Sequence, residues 1–205
     1  MLKLKRRRLS ESVNAGSMAD IAFLLLIFFL VTTTIQTDEG IPKKLPKKDV
    51  NPPNFHITEK NLFTILINAE GELLVQDDPM PIEDLKKSAI AFIDNGGGIG
   101  NEACEYCQGL KDPSSSDNPE KAVFSITTDR QTKYAHYIAV QNELVGAYNE
   151  LRNREAKRLF ETTYTKMDEE FKNEGFASRK GLLKRRLETI RDLYPQHISD
   201  AKPVK

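Results

Sequence analysis

Hydrophobic and polar positions divide this chain into one continuous apolar run and a longer part in which they alternate. The run lies in residues 16–36, GSMADIAFLLLIFFLVTTTIQ, and offers a helix no polar side from Ile21 to Val31. A helix of that length, at ~1.5 Å per residue, reaches about the ~30 Å of a bilayer's hydrocarbon core. We therefore predict a transmembrane helix over 16–36 rather than a buried core helix. A signal peptide is disfavoured because TTTIQTDEG lacks a small-residue cleavage pattern.

A period of two residues marks the start of the polar part. Phe63, Ile65 and Ile67 share one side of a strand, NAEG supplies turn residues that include Gly71, and ELLVQ returns. This pattern predicts a β-hairpin. Prolines and lysines are frequent in residues 37–58, which predicts an extended linker before the hairpin.

Three later segments carry apolar residues at the three- and four-residue spacing of amphipathic helices. The strand KAVFSITTD lies between the first two, and a late strand is expected within residues 197–204. The expected fold class is α+β, with a single N-terminal transmembrane helix and then a small domain over 59–205 of hairpin, helix, strand, helix and late strand. The repeating positions are Ile82, Leu85, Ala89 and Phe92, then Val140, Leu144, Ala147 and Leu151, then Leu183, Leu187, Ile190 and Tyr194.

Charge adds an orientation to this picture. The formal net charge is zero, so the whole chain offers no electrostatic attraction for nucleic acid. Residues 1–15 are basic at their start, with Lys3, Lys5, Arg6, Arg7 and Arg8. Positive charge before a span favours the cytoplasmic side. We therefore expect residues 1–15 to be cytoplasmic and the domain to lie on the outer side of the membrane.

Asp20 is the only acid between Glu11 and Asp38 and lies at the head of the apolar run. A charged Asp at the centre of a membrane helix costs ~2.5–3.5 kcal/mol, and desolvation favours the neutral form of a carboxyl group. One interpretation is therefore a proton-carrying group. The other is a residue that caps the helix or reaches back to the interface.

Thr32, Thr33 and Thr34 end the run and are candidate supporting polar residues. Their hydroxyls can bond to a neighbouring membrane helix, or back to carbonyls of their own helix. The second alternative is the simpler one.

Cys104 and Cys107 form a Cys-x-x-Cys pair within residues 94–120, a segment rich in Gly, Ser and Pro that predicts an irregular loop. A zinc site needs about two further ligands, and His56 and His136 are distant in sequence. A thioredoxin-type pair needs a strand-to-helix turn. A disulfide that staples the loop is preferred to a thiol oxidoreductase. We expect no enzyme, metal or cofactor.

The order of these features resembles the ExbD/TolR family. Members carry an Asp shortly before an apolar run that ends in Val-Thr-Thr, and Asp20 with IAFLLLIFFLVTT matches this motif. The Leu45-Pro46 pair and the hairpin ILINAEGELLVQDDPM also match, so the resemblance covers most of residues 10–148. The loop 94–120 and an extra helical region over 150–194 exceed the family's compact pattern.

The resemblance implies a single-pass protein of the bacterial inner membrane with a periplasmic domain. It implies a homodimer within a ring of a multispan ExbB-like protein, surrounded by membrane lipid, that energises a TonB-like periplasmic protein for outer-membrane transport. The family's proton-carrying Asp maps onto Asp20 alone. The alternative is a TolR-like or scaffold module whose domain binds peptidoglycan or envelope proteins.

Overall fold

A computed structural model of the chain describes residues 15–32, 57–173 and 177–201. They belong to two compact units, one containing the first helix and one containing all the other elements, and each is described by itself. The expected cytoplasmic segment 1–15, except Ala15, lies outside the described residues. So do residues 33–36 of the expected membrane helix and residues 37–56 of the expected linker.

The first unit contains helix α1, Ala15–Thr32. It begins one residue before the expected start, and all its residues are exposed. Its mean hydropathy of 2.1 and its 18 residues make it long and apolar enough to cross a membrane. This exposure argues against a buried core helix, because such a helix hides its apolar side chains from water.

The second unit is built on a five-stranded sheet with the order β3-β2-β1-β4-β5. The pairs β1–β2 and β2–β3 are antiparallel. The pairs β1–β4 and β4–β5 are parallel. At the β1–β2 turn, Gly71 has φ +91° and a Cβ there would overlap the His136 ring, so this turn requires glycine. The strands are β1 Leu62–Ile67, β2 Leu73–Val75, β3 Asp78–Met80, β4 Val123–Thr128 and β5 Ile198–Asp200.

Helices α2, Ile82–Ile93, and α3, Tyr134–Phe160, contribute to the core with the sheet. Phe63, Ile65 and Ile67 are buried whereas Thr64 is exposed, so the alternation expected in β1 is confirmed. The twelve apolar positions expected at helical spacing are buried, apart from Ile82, which is half-buried against the core. One face of the sheet therefore carries the main core.

Beyond α3 the chain forms helices α4, Tyr164–Asn173, and α5, Ala177–Leu193. Together with the end of α3 they enclose a second apolar cluster, which we call the extension core: Ala156, Tyr164, Met167, Leu183, Leu187 and Ile190. The expected helical region 150–194 is therefore helical but broken, first at Glu161, whose φ is 57°. Neither α4 as a separate helix nor the short edge strand β3 was expected.

The expected loop 94–120 contains one short 3-10 turn, Gly100–Glu102, and is otherwise irregular. It is nevertheless closely packed. The Asn95 side chain donates to the carbonyl oxygens of Asp112 (2.8 Å) and Ser116 (2.7 Å). Asp117 accepts hydrogen bonds from Asn61 (2.9 Å) and Lys60 (2.6 Å). These bonds tie the loop to itself and to the start of β1.

Candidate functional site

Asp20 is the sixth residue of α1. It therefore lies ~7.5 Å along the helix axis from Ala15, more than one turn inside the helix. The N–H groups that need a cap belong to the first turn of a helix. The interpretation of Asp20 as a helix cap does not fit this position.

Asp20 lies where α1 changes from small and polar residues to a continuous apolar run. Gly16 and Ser17 precede it by one turn on the same side, whereas Phe23 and Leu24 follow it. From Ile21 to Val31 no side chain carries a hydrogen-bonding group. Within α1, Asp20 is the single ionisable side chain and hence the single group that can take up or release a proton.

Thr32 bonds back to its own helix. Its Oγ1 donates to the carbonyl oxygen of Phe28 at 2.8 Å, with a weaker contact to that of Phe29 at 3.4 Å. This is the local alternative for a threonine at the end of a membrane helix. Thr33 and Thr34, the other candidate supporting residues, lie outside the described residues.

Cys104 and Cys107 are joined as a disulfide within the packed loop. Both are largely buried, at 8% and 7% exposure, and a Cβ at Gly96 would lie 2.8 Å from the Cβ of Cys107. A thiol pair that exchanges with substrates needs access to them. The position of this disulfide therefore favours a staple over a redox centre.

An ion pair between the buried Asp94 and the partly exposed Arg154 joins the start of this loop to α3 and to Tyr194, the residue after α5. The guanidinium of Arg154 donates to both carboxylate oxygens of Asp94, at 2.6 and 2.7 Å, and to the hydroxyl of Tyr194 at 2.8 Å. The Tyr194 hydroxyl in turn donates to Asp94 at 3.1 Å, and the backbone N–H of Gln108 donates to Asp94 at 3.2 Å. Sequence reasoning missed this network, for which no local pattern gives a signal.

The pKa shifts in the network indicate fixed protonation states. Hydrogen bonding to Asp94 raises the pKa of Arg154. Burial, reinforced by the Asp94 charge, raises the pKa of Tyr194. Burial also raises the pKa of Tyr106, whose backbone carbonyl oxygen accepts from Arg154 at 3.4 Å, to about 12. A general acid or base works best with a pKa near the working pH. These groups are therefore suited to a structural role.

The described residues contain no candidate metal-binding site. Residues 15–32, 57–173 and 177–201 contain no group of three or more His, Cys, Asp or Glu side chains placed to hold a metal ion.

In the part of the chain that the structure describes, one exposed apolar helix long enough to cross a membrane precedes a small α+β domain, the arrangement of a membrane-anchored protein. The family model described as biopolymer transport protein ExbD/TolR matches residues 6–153. The chain belongs to the ExbD/TolR family. A comparison with curated proteins gave no match.

Family membership gives the chain a role as an energising subunit in biopolymer transport, in partnership with membrane-protein complexes. Together with the single apolar helix, it fits a single-pass protein of the inner membrane. ExbD/TolR proteins are not a family of enzymes. The match ends inside α3, so all six residues of the extension core lie beyond it.

Proposed function

We propose that this chain is the ExbD-like subunit of an inner-membrane motor driven by the proton gradient, with Asp20 as the proton-carrying group. The observation that carries the proposal is the position of Asp20, the single ionisable residue of α1 and more than a turn inside it. A charge moved across 100 mV is worth ~2.3 kcal/mol, so a few protons supply useful mechanical energy.

The sequence of α1 indicates that other chains supply the rest of the proton path beyond Asp20. The eleven residues Ile21 to Val31 have no polar side chain, a distance of ~15 Å along the helix. A proton held on Asp20 has no further acceptor along that stretch of its own helix. The rest of the path must come from other chains, for which a ring of a multispan ExbB-like protein and a second copy of this chain are the expected sources.

The orientation of the chain completes the proposal. Lys3, Lys5, Arg6, Arg7 and Arg8 precede the span and favour a cytoplasmic N-terminus. The domain after the span is then periplasmic, where it transmits motion to a TonB-like protein. The Cys104–Cys107 disulfide supports a periplasmic location for this domain, because disulfides persist in the oxidising periplasm.

Replacement of Asp20 by Asn tests the proposal, because the amide keeps the size of the side chain and cannot carry a proton. We expect Asp20→Asn to reduce energised uptake across the outer membrane to background while insertion and complex formation persist. Ser17→Ala is the matched control, since it removes a polar group one turn away on the same side of α1 and should leave uptake unchanged.

Normal uptake together with normal envelope integrity in an inserted and complexed Asp20→Asn chain would overturn the proton role. That result would favour the scaffold alternative, in which the periplasmic domain binds peptidoglycan or envelope proteins. A TolR-like function is distinguished by the phenotype that Asp20→Asn produces, namely loss of envelope integrity with uptake intact.

A further inference from the structure

A groove of about 600 Å³ separates the outer sides of α2 and α3. This volume is in the ~300–1,000 Å³ range typical of ligand sites. Its lining combines apolar surface of the partly exposed Ile90 with polar groups along α3. Nothing in the proton mechanism uses this groove.

Lys86 of α2 forms one end of the groove, where its side chain passes over Gly146 of α3. A Cβ at Gly146 would lie 3.7 Å from the stem of Lys86, whose Nζ reaches Glu150 at 2.7 Å. Lys86 and Glu150 are 40% and 58% exposed, so this pair is weak and leaves little net charge.

The middle and far end of the groove carry unused polar groups. Asn153 accepts a hydrogen bond from the Thr165 backbone N–H at 3.0 Å, which fixes its amide while its Nδ2 keeps no partner among the described residues. The Asn149 amide and the Lys157 ammonium group likewise have no partner in the part of the chain that the structure describes. These three groups therefore offer hydrogen bonds and one positive charge to a ligand.

The spacing of the two amides matches an extended peptide. Asn149 and Asn153 are one turn apart, which places them ~6 Å apart along α3. An extended chain presents its backbone groups on one side every two residues, or ~6.6 Å. From Gly146 to Lys157 the groove runs ~16.5 Å along the helix, the length of about five extended residues.

We propose that this groove binds an extended, acidic peptide segment of a partner protein. Asn149 and Asn153 bond to its backbone, Ile90 contacts an apolar side chain, and Lys157 pairs with a carboxylate at one end. Amides supply affinity that tolerates many sequences, whereas the lysine supplies the preference for an acidic residue.

The test uses the full chain in lipid nanodiscs and two pools of heptapeptides with randomised flanks, one with a central Glu and one with a central Lys. Peptides retained by the chain are quantified by mass spectrometry. We expect the unchanged chain to retain the Glu pool about threefold over the Lys pool, as one exposed ion pair of ~0.7 kcal/mol implies.

Three variants assign the preference to the groove. Lys157→Glu should reverse the preference between the pools, and Asn149→Ala should lower total retention about threefold to tenfold. Lys87→Glu makes the same charge change at an exposed position of α2 outside the groove lining and should change nothing.

Equal retention of the two pools by the unchanged chain would overturn the proposal, as would an effect of Lys87→Glu equal to that of Lys157→Glu. Undiminished retention of a backbone N-methylated Glu pool would exclude the backbone contacts. The groove is independent of Asp20, so Asp20→Asn should retain both pools as the unchanged chain does. Failure of the groove and failure of the proton role are thereby distinguishable.

Discussion

Arg154 shows at the scale of single residues how one side chain joins segments that lie far apart in sequence. Its guanidinium meets Asp94 at the end of α2 and Tyr194 after α5. Asp94 is 4% exposed, and its two carboxylate oxygens accept from this guanidinium at 2.6 and 2.7 Å. A buried charge left alone costs far more than the pair contributes.

We expect Arg154→Met to lower the free energy of unfolding by about 3 kcal/mol, because it leaves the Asp94 carboxylate buried without a counter-charge. The measurement is a urea titration of the full chain in detergent, followed by tyrosine circular dichroism. Lys121→Met is the control, since its pair with Glu102 is 44% exposed on both sides and should be worth at most about 0.5 kcal/mol. Equal losses in the two variants would contradict the assigned role of the network.

The sequence predicts the burial of residues that are close neighbours in a helix, but it does not predict contacts between residues far apart in the chain. The stripe Val140, Leu144, Ala147 and Leu151 is visible because its members are near neighbours in a helix, and its burial is confirmed. Asp94 and Arg154 are brought together across 60 residues by tertiary packing. No local period connects them, and each looks like an ordinary surface charge.

At the scale of elements, the loop 94–120 also contains contacts that no local sequence pattern indicates. Its Gly and Ser content correctly predicts irregular backbone but says nothing about packing. In the structure, a Cβ at Gly97 would overlap the carbonyl oxygen of Asp112 and lie 2.8 Å from Nδ2 of Asn95. This glycine is therefore required by close approach of two backbone segments.

Gly97→Ala should destabilise the domain by about 2 kcal/mol, because an added methyl group must displace backbone that Asn95 holds in place. Gly181→Ala provides the opposite case, since nothing lies within 4 Å of its Cβ position in α5. Removal of a helical glycine there should stabilise by about 0.5–1 kcal/mol. Urea midpoints of the two full-length variants check both signs, and a stable Gly97→Ala chain would show that the loop yields easily.

The elements that the sequence did not predict are those with little local signal. β3 has three residues, too few to show a period, and contains Pro79, which is disfavoured in strands. α3 ends at Phe160, and the next residue, Glu161, has a left-handed conformation that usually calls for Gly or Asn. The break that separates α4 from α3 was therefore not recognisable.

At the scale of the whole molecule, the family match ends close to the point at which α3 passes from the main core into the extension core, and the chain returns to the main core at Tyr194. The match ends at residue 153, between Leu151 of the main core and Ala156 of the extension core. α3 runs through both, and Leu193 packs against both. The extension core is thus an addition with its own apolar cluster, built onto a helix of the family fold.

This division predicts that the extension core opens without the sheet. Leu187→Ala removes a side chain that is 1% exposed there, at a cost of about 2–5 kcal/mol. Hydrogen exchange of the full chain, followed by mass spectrometry, should speed up in α4 and α5 while β1 and β4 keep their protection. Leu85→Ala, in the main core, should speed exchange in both regions, because the sheet supports α3. If Leu187→Ala exposes β1 as much as α5, the two clusters form one cooperative unit, and the extension is inseparable from the domain that carries the groove.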